Sequence, residues 1–243
     1  VYLGVAVGVL GLVLALANGR PGAPVQSGTA QSGTAEVAAI ATPVAVVDEP
    51  APGSTAGTEA AVLAGGCFWG VQGVFQHTKG VTEAVSGYAG GNAATAHYGM
   101  VGSGLTGHAE SVRVTYNPRQ ITYGQLLRIF FSVAHDPTEL DRQGPDTGSQ
   151  YRSAIFPQND VQRRIAESYV AQLTEARTFS QPIATRIEPA AEFFPAEEQH
   201  QDYLDSNRSQ PYIALYDMPK LEDLKRVFPE FYRDQPVLVL AKN

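Results

Sequence analysis

An apolar run at Ala60–Leu63 leads into Gly65-Gly66 and then into Cys67-Phe68-Trp69-Gly70, which reads as a strand stopped by a glycine pair with a helix opening behind it. This junction commits the chain to a strand–turn–helix unit, and it holds the only cysteine and the only tryptophan. A helix over Phe68–Gln76 sets the sulfur beside unpaired backbone N–H groups and the positive end of a helix dipole, which favours thiolate. The preceding glycines allow a sharp turn and leave room for a substrate to approach. Phe68 and Trp69 are placed to wall an apolar slot. Taken alone, the same residues also suit a plain core, where all three types are commonly found. One cysteine closes no intrachain disulfide, so Cys67 is a buried filler, a metal ligand or a reactive thiol.

Further along, Val112, Val114 and Tyr116 alternate with Arg113 and Thr115, which predicts a half-buried strand ended by Asn117-Pro118. Thr122 caps a helix carrying Leu126, Leu127, Phe130 and Phe131, finished before His135-Asp136-Pro137. Ser153–Phe156 reads as a strand, Asn159 as the cap of a long helix to about Arg177, and Ile183–Ile187 as another strand. Helices and strands interleaved with long Gly/Pro-rich loops predict an α+β two-layer sandwich with a mixed sheet. The length of 243 residues suits one domain plus extensions. A net charge of −7 with no basic run excludes nucleic acid as a partner.

The N-terminal region has a different composition. Residues 1–17 are almost all Val, Leu, Ala and Gly, long enough for a signal peptide's apolar core and short for a spanning helix, and Ala15-Leu16-Ala17 resembles a cleavage site. A cleaved signal, a membrane anchor and a mis-called start on a cytosolic protein all fit. The first two imply an exported, extracytoplasmic location and the third a cytoplasmic one. Residues 18–58 lack aromatics and repeat the motif Gln-Ser-Gly-Thr-Ala at Gln26–Ala30 and Gln31–Ala35, so they read as a disordered linker. The predicted catalytic domain is 59–243.

Three more segments combine glycine with polar side chains: Gly87-Tyr88-Ala89-Gly90-Gly91, Thr106-Gly107-His108-Ala109-Glu110, and Arg142 through Gln150-Tyr151-Arg152. Together with Cys67-Phe68-Trp69, and in this order, they resemble the A-type peptide methionine sulfoxide reductases over about Glu59 to Leu204. The resemblance implies a ferredoxin-like core and an enzyme that repairs methionine-S-sulfoxide, free or in oxidised proteins. It implies Cys67 as the nucleophile, Glu110 as the acid that donates to the sulfoxide oxygen, and Tyr98 and Tyr151 as hydroxyls holding that oxygen. Ala96-His97 stands where the Pro-Ser/Thr pair usual in the family precedes the first tyrosine. Phe68 and Trp69 correspond to the cage around the substrate methyl group, and Asp146 to an acidic residue that orders the site by hydrogen bonding. His108 corresponds to a loop support. Tyr88 with its glycines reads as a turn fixing the pocket wall, and Glu197 to Tyr203 as a polar helix face over the cleft.

Many relatives carry a second, resolving cysteine, but Gly102 stands at one of its usual places and Asp205–Asn243 has none. The sulfenic acid formed on Cys67 must then be reduced by an external thiol, either thioredoxin or glutathione with glutaredoxin. No bound cofactor and a monomeric state are expected. His77, His97, His135 and His200 show no ligand spacing with the cysteine, so no metal is expected. Pro219 and the Leu221–Val227 pattern read as a packing extension. Two competing functions remain readable. A cysteine hydrolase would need His108 or His135 as base, and a tethered binding module would use only the aromatic pocket.

Overall fold

The computed structural model describes residues 39–48 and 57–240, all within one compact unit. The apolar segment 1–17 and the repeat at 26–35 lie outside the described residues. In chain order the elements are β1 (Glu59–Gly65), α1 (Phe68–Gln76), β2 (Val81–Ala89), α2 (Tyr98–Val101), β3 (Ala109–Tyr116), α3 (Tyr123–Ile129), β4 (Arg142–Gln143), β5 (Asp146–Thr147), β6 (Ser153–Phe156), α4 (Asp160–Glu175), β7 (Arg186–Ile187), β8 (Phe193–Pro195), α5 (Tyr203–Ser206) and α6 (Met218–Val227). Six strands form one sheet in the order β7-β6-β1-β3-β2-β8, and β4 and β5 pair as a separate small hairpin. Every neighbour pair in the large sheet is antiparallel except β6 with β7, so the sheet is mixed. Its four central strands, β6-β1-β3-β2, follow the ferredoxin-like order, and the α+β class expected from the sequence is the one observed.

Strand β1 is central, and Ala61 through Ala64 are inaccessible or nearly so. One face of the sheet packs Ala61 and Leu63 with Val71, Val74 and Phe75 of α1 and with apolar residues of α3 and α4. Each such side chain contributes about 1.5–3 kcal/mol by leaving water. The other face is lined by Val62, Ala64, Ala89, Ala109, Ala154 and Phe156, with Phe193 packed against them. Local signals start the helices where the sequence placed them. The Thr122 hydroxyl accepts from the Gln125 backbone while the Gln125 side chain accepts from the Thr122 backbone, a reciprocal cap. Asn159 accepts from the Gln162 backbone at 2.9 Å and opens α4.

Four local expectations differ from the observed fold. Gly87-Tyr88-Ala89 belongs to strand β2, and the turn starts at Gly90, whose φ is +95°. This strand shows no alternation because Ala84 through Ala89 are all buried, Ala84 and Tyr88 in the core on one face of the sheet and Ala89 in the cluster on the other. The strand expected over 183–187 shortens to Arg186–Ile187. The helix begun by Thr122 ends at Ile129 and continues as a π-helical turn, Phe130–Ala134.

The fourth difference concerns the linker, of which residues 39–48 are docked on the domain. Thr42 is fully buried, its backbone N–H donates to Ser132 Oγ at 3.1 Å, and its hydroxyl meets Ser132 Oγ at 2.7 Å and Tyr169 Oη at 2.8 Å. Asp48 accepts from the Thr122 hydroxyl and, at 2.8 Å, from the Gly124 N–H. Composition predicts too little apolar surface to order this stretch, yet Ala45 joins the core and hydrogen bonds run to the start of α3, to Ser132 in the π-helical turn and to Tyr169 of α4.

Candidate active site

Cys67 caps the N-terminus of α1 at the edge of the core, 7% exposed. Gly66 makes the turn possible with φ +86°, a conformation that an L side chain rarely adopts. The space a side chain would take there is filled, since a Cβ on Gly66 would sit 2.4 Å from Gln143 Cβ. The room expected for substrate before the cysteine is therefore occupied by β4. The Trp69 backbone N–H at the start of α1 draws the thiol downward, as a helix N-terminus allows, but the Cys67 side chain makes no capping hydrogen bond. That pull does not prevail. Burial first, and then the charges of Glu110 and Asp217, push the Cys67 thiol well above its ordinary value, so the free protein holds a thiol and not the thiolate expected from helix position alone.

Glu110, at the start of β3, is 3% exposed and accepts a hydrogen bond from the Phe68 N–H at 3.0 Å. The carboxyl is thus fastened to the residue that follows the cysteine. Burial pushes its pKa up to about 8 against the lowering effect of that N–H, so it carries a proton at neutral pH. Tyr98 opens α2 and Tyr151 sits in a short 3-10 turn before β6. Burial raises both phenols, Tyr98 to about 12, and both are raised further by Glu110, Asp146 and Cys67. Asp146 on β5 accepts the Tyr212 hydroxyl, and burial raises its carboxyl. Cys67, Tyr98, Glu110, Asp146 and Tyr151 are therefore gathered at one place.

Phe68 is buried, and its ring lies 6.4 Å from Tyr98, 5.9 Å from Tyr88 and 5.7 Å from His200. Trp69 stacks on Tyr203 at 3.9 Å and meets Tyr212 edge-on at 6.1 Å. The two aromatic residues beside the cysteine thus belong to one continuous wall. His108 lies behind it, with Nδ1 accepting from the Gly91 N–H and Nε2 on the Asn92 carbonyl. His135 has Nδ1 on the Phe130 carbonyl and Nε2 on Ser153 Oγ, and burial lowers its pKa to about 4. Both ring nitrogens of each histidine are engaged, so neither is disposed as the base that a cysteine hydrolase needs.

A family model described as peptide methionine sulfoxide reductase matches residues 59–231. The chain belongs to this family. Its activity is methionine sulfoxide reduction, and it is an oxidoreductase. It is similar to peptide methionine sulfoxide reductase MsrA 2 of Mesorhizobium japonicum, 57% identical over 196 residues that cover 81% of this chain and 98% of that one. A Synechocystis relative of the same name is 46% identical over 194 residues, covering 79% of this chain and 91% of its own. Among solved structures, Mxr1 from Saccharomyces cerevisiae in reduced form aligns with a TM-score of 0.57 and 36% identity over 63% of this chain and 87% of that one. Methionine sulfoxide reductase A of Corynebacterium diphtheriae aligns with a TM-score of 0.53 and 34% identity over 68% and 89%.

In this member of the family the segment after Ala196 makes contacts with the site that the sequence does not reveal. Glu197 accepts from the Tyr88 hydroxyl at 2.8 Å and from the Tyr98 N–H at 2.9 Å, which fixes the start of α2. His200 stacks on Tyr98 at 4.1 Å. Glu197 to Tyr203 borders the site, as the sequence reading has it, but not as a polar helix face: only Glu198–His200 forms a 3-10 turn, and His200, Gln201 and Asp202 are buried. Gln201 is buried, donates to the Ser86 and Ala196 carbonyls, and accepts from Gln72 and the Ser86 N–H, joining this segment to α1 and β2. The C-terminal extension does pack, through Leu221 and Leu224, but it also delivers Tyr212, Asp217 and Lys220 to the cysteine's surroundings. The run Asp-Met-Pro-Lys at Asp217–Lys220 was the available signal, because a helix start with Pro at its second residue projects i and i+3 side chains to one side.

Proposed function

We propose that Cys67 reduces methionine-S-sulfoxide, free or within oxidised proteins, by attacking the sulfoxide sulfur. The observation that carries this reading is Glu110, a buried and protonated carboxyl held 3.0 Å from the backbone of the residue after the cysteine. Its Oε2 accepts the Phe68 N–H, which leaves Oε1 for the proton. Glu110 gives that proton to the sulfoxide oxygen, which makes the sulfur electrophilic, and the resulting carboxylate takes the thiol proton of Cys67. Tyr98 and Tyr151 keep their protons at neutral pH and donate to the same oxygen. Phe68 and Trp69 enclose the methyl group, and Asp146 is the positioning carboxylate held by Tyr212.

The atoms balance. Thiol and sulfoxide give thioether and sulfenic acid: the oxygen passes to Cys67 with the proton that Glu110 gave it, and Glu110 is left holding the proton that the thiol lost. Two external thiols, from thioredoxin or from glutathione and glutaredoxin, then restore the cysteine and release water and a disulfide. No second cysteine exists in the chain to intervene. Steady-state assays on the separated sulfoxide epimers with dithiothreitol as donor test the assignment. Turnover of the S epimer that is lost in Cys67→Ser is expected, and absence of turnover by folded, unsubstituted protein overturns the reading. The apolar residues 1–17 support export or membrane anchoring. N-terminal sequencing of protein from fractionated cells reads this out, and a full-length cytoplasmic form contradicts it.

A further inference from the structure

Helix α6 reaches the cysteine through Gly70, in the first turn of α1. A Cβ on Gly70 would lie 2.1 Å from Asp217 Oδ1 and 2.8 Å from Lys220 Nζ, so both charged ends rest against the backbone of that turn. Lys220 Nζ is 3.1 Å from Asp217 Oδ1, and the Asp217 side chain is fully buried. Asp217 Oδ2 accepts no hydrogen bond from the described residues. A buried ion pair at best offsets its own desolvation, so this pair contributes little to stability. Its place, one helical turn from the nucleophile, points elsewhere.

We infer that Asp217 and Lys220 are a positioning pair that sets the charge balance at the Cys67 sulfur, with the Lys220 ammonium masking a carboxylate that opposes loss of the thiol proton. This deepens the reductase reading and rests on it for the role of Cys67. The groups facing the sulfur are Glu110 from β3, Asp217 and Lys220 from α6, and the neutral phenols Tyr98, Tyr151 and Tyr212. Among the described residues that act on Cys67, Lys220 is the one cation. Asp217 raises the thiol and Lys220 lowers it. Asp217 is itself raised by burial against the opposing pull of Lys220, so removal of either partner unbalances the other. In this arrangement the reductase holds its nucleophile as a thiol until a sulfoxide protonated by Glu110 brings positive charge to the same place.

The test is the pH dependence of Cys67 alkylation by iodoacetamide in the full chain, a readout that needs no sulfoxide. Lys220→Met leaves Asp217 bare, and its midpoint should rise by about one pH unit, giving about tenfold slower alkylation on the acid side. Asp217→Asn removes the opposing charge and frees Lys220, and its midpoint should fall by about as much. The double variant should return toward the unsubstituted protein. A purely structural pair would not produce shifts of opposite sign. If Asp217→Asn does not fold, Lys220→Met, whose side chain is partly exposed, carries the test alone. Midpoints that stay put, or that move the same way in both single variants, overturn the inference. Failure of the unsubstituted protein to turn over sulfoxide would instead sink the reductase reading and leave these midpoints measurable.

Discussion

Two regions converge on one sulfur. The first runs from β1 to Tyr151 and brings Cys67, Phe68, Trp69, Tyr98, Glu110, Asp146 and Tyr151, groups that on our reading touch the substrate or order those that do. The second, from Ala196 to α6, brings Glu197, His200, Tyr203, Tyr212, Asp217 and Lys220, which touch the first set: Tyr212 on Asp146, Glu197 on Tyr98, Tyr203 on Trp69, and Asp217 with Lys220 on Gly70. The difference separates chemistry from tuning. Cys67, Phe68 and Glu110 sit on α1 and β3 of the core, whereas Tyr98 is exposed at the start of α2, Asp146 lies on the small hairpin and Tyr151 in a 3-10 turn. Groups that set charge and orientation arrive from a later segment, laid over the core by packing of Leu221 and Leu224 and by the buried amide network of Gln201.

The largest effect should follow loss of an acid in the first region. Glu110→Gln should lower kcat by about a hundredfold or more, since the amide cannot donate a proton to the oxygen. The same variant should alter stability against pH. In the unfolded chain Glu110 ionises near its ordinary value of 4.5, whereas in the fold it keeps its proton to about 8. The folded state therefore binds more protons between these values, and its stability declines as pH rises through that window. Thermal melts at pH 5, 6.5 and 8 should show a shallower decline in Glu110→Gln than in the unsubstituted protein. An equally steep decline would break the assignment of Glu110 as a buried neutral acid.

A smaller effect is expected from the second region. Tyr212→Phe removes the hydroxyl that Asp146 accepts and should lower kcat/KM by about tenfold to a hundredfold, matching the ~1.5–3 kcal/mol of a hydrogen bond to a charged group. Restricting the loss to KM would mean that Tyr212 only holds substrate. A loss as large as that of Glu110→Gln would erase the division between the two regions.

The legible part of the site was the part carried by short local motifs. Cys67-Phe68-Trp69 lies at a strand–turn–helix junction that glycine and periodicity mark directly, and His108-Ala109-Glu110 opens a strand with clear alternation. Helix starts at Thr122 and Asn159 were readable because capping is a local hydrogen bond. Strand β2 was not, because burial on both faces removes the alternation that announces a strand. The protonation of Cys67 was not readable either, since it depends on desolvation and on Asp217, 150 residues away in sequence, more than on its place at a helix N-terminus. Docking of residues 39–48 is illegible in the sequence for a similar reason. Thr42 and Asp48 are ordinary polar residues until Ser132, Tyr169 and Thr122 are brought beside them.

The central claim is that one cysteine accepts the sulfoxide oxygen and has no partner within the chain. Full-length protein mixed with excess methionine-S-sulfoxide, with no thiol present, tests it through the methionine released and the intact mass after trapping with dimedone. The account predicts one methionine per chain and one dimedone adduct on Cys67. Release of none by folded protein, or of several per chain without an adduct at Cys67, would contradict it.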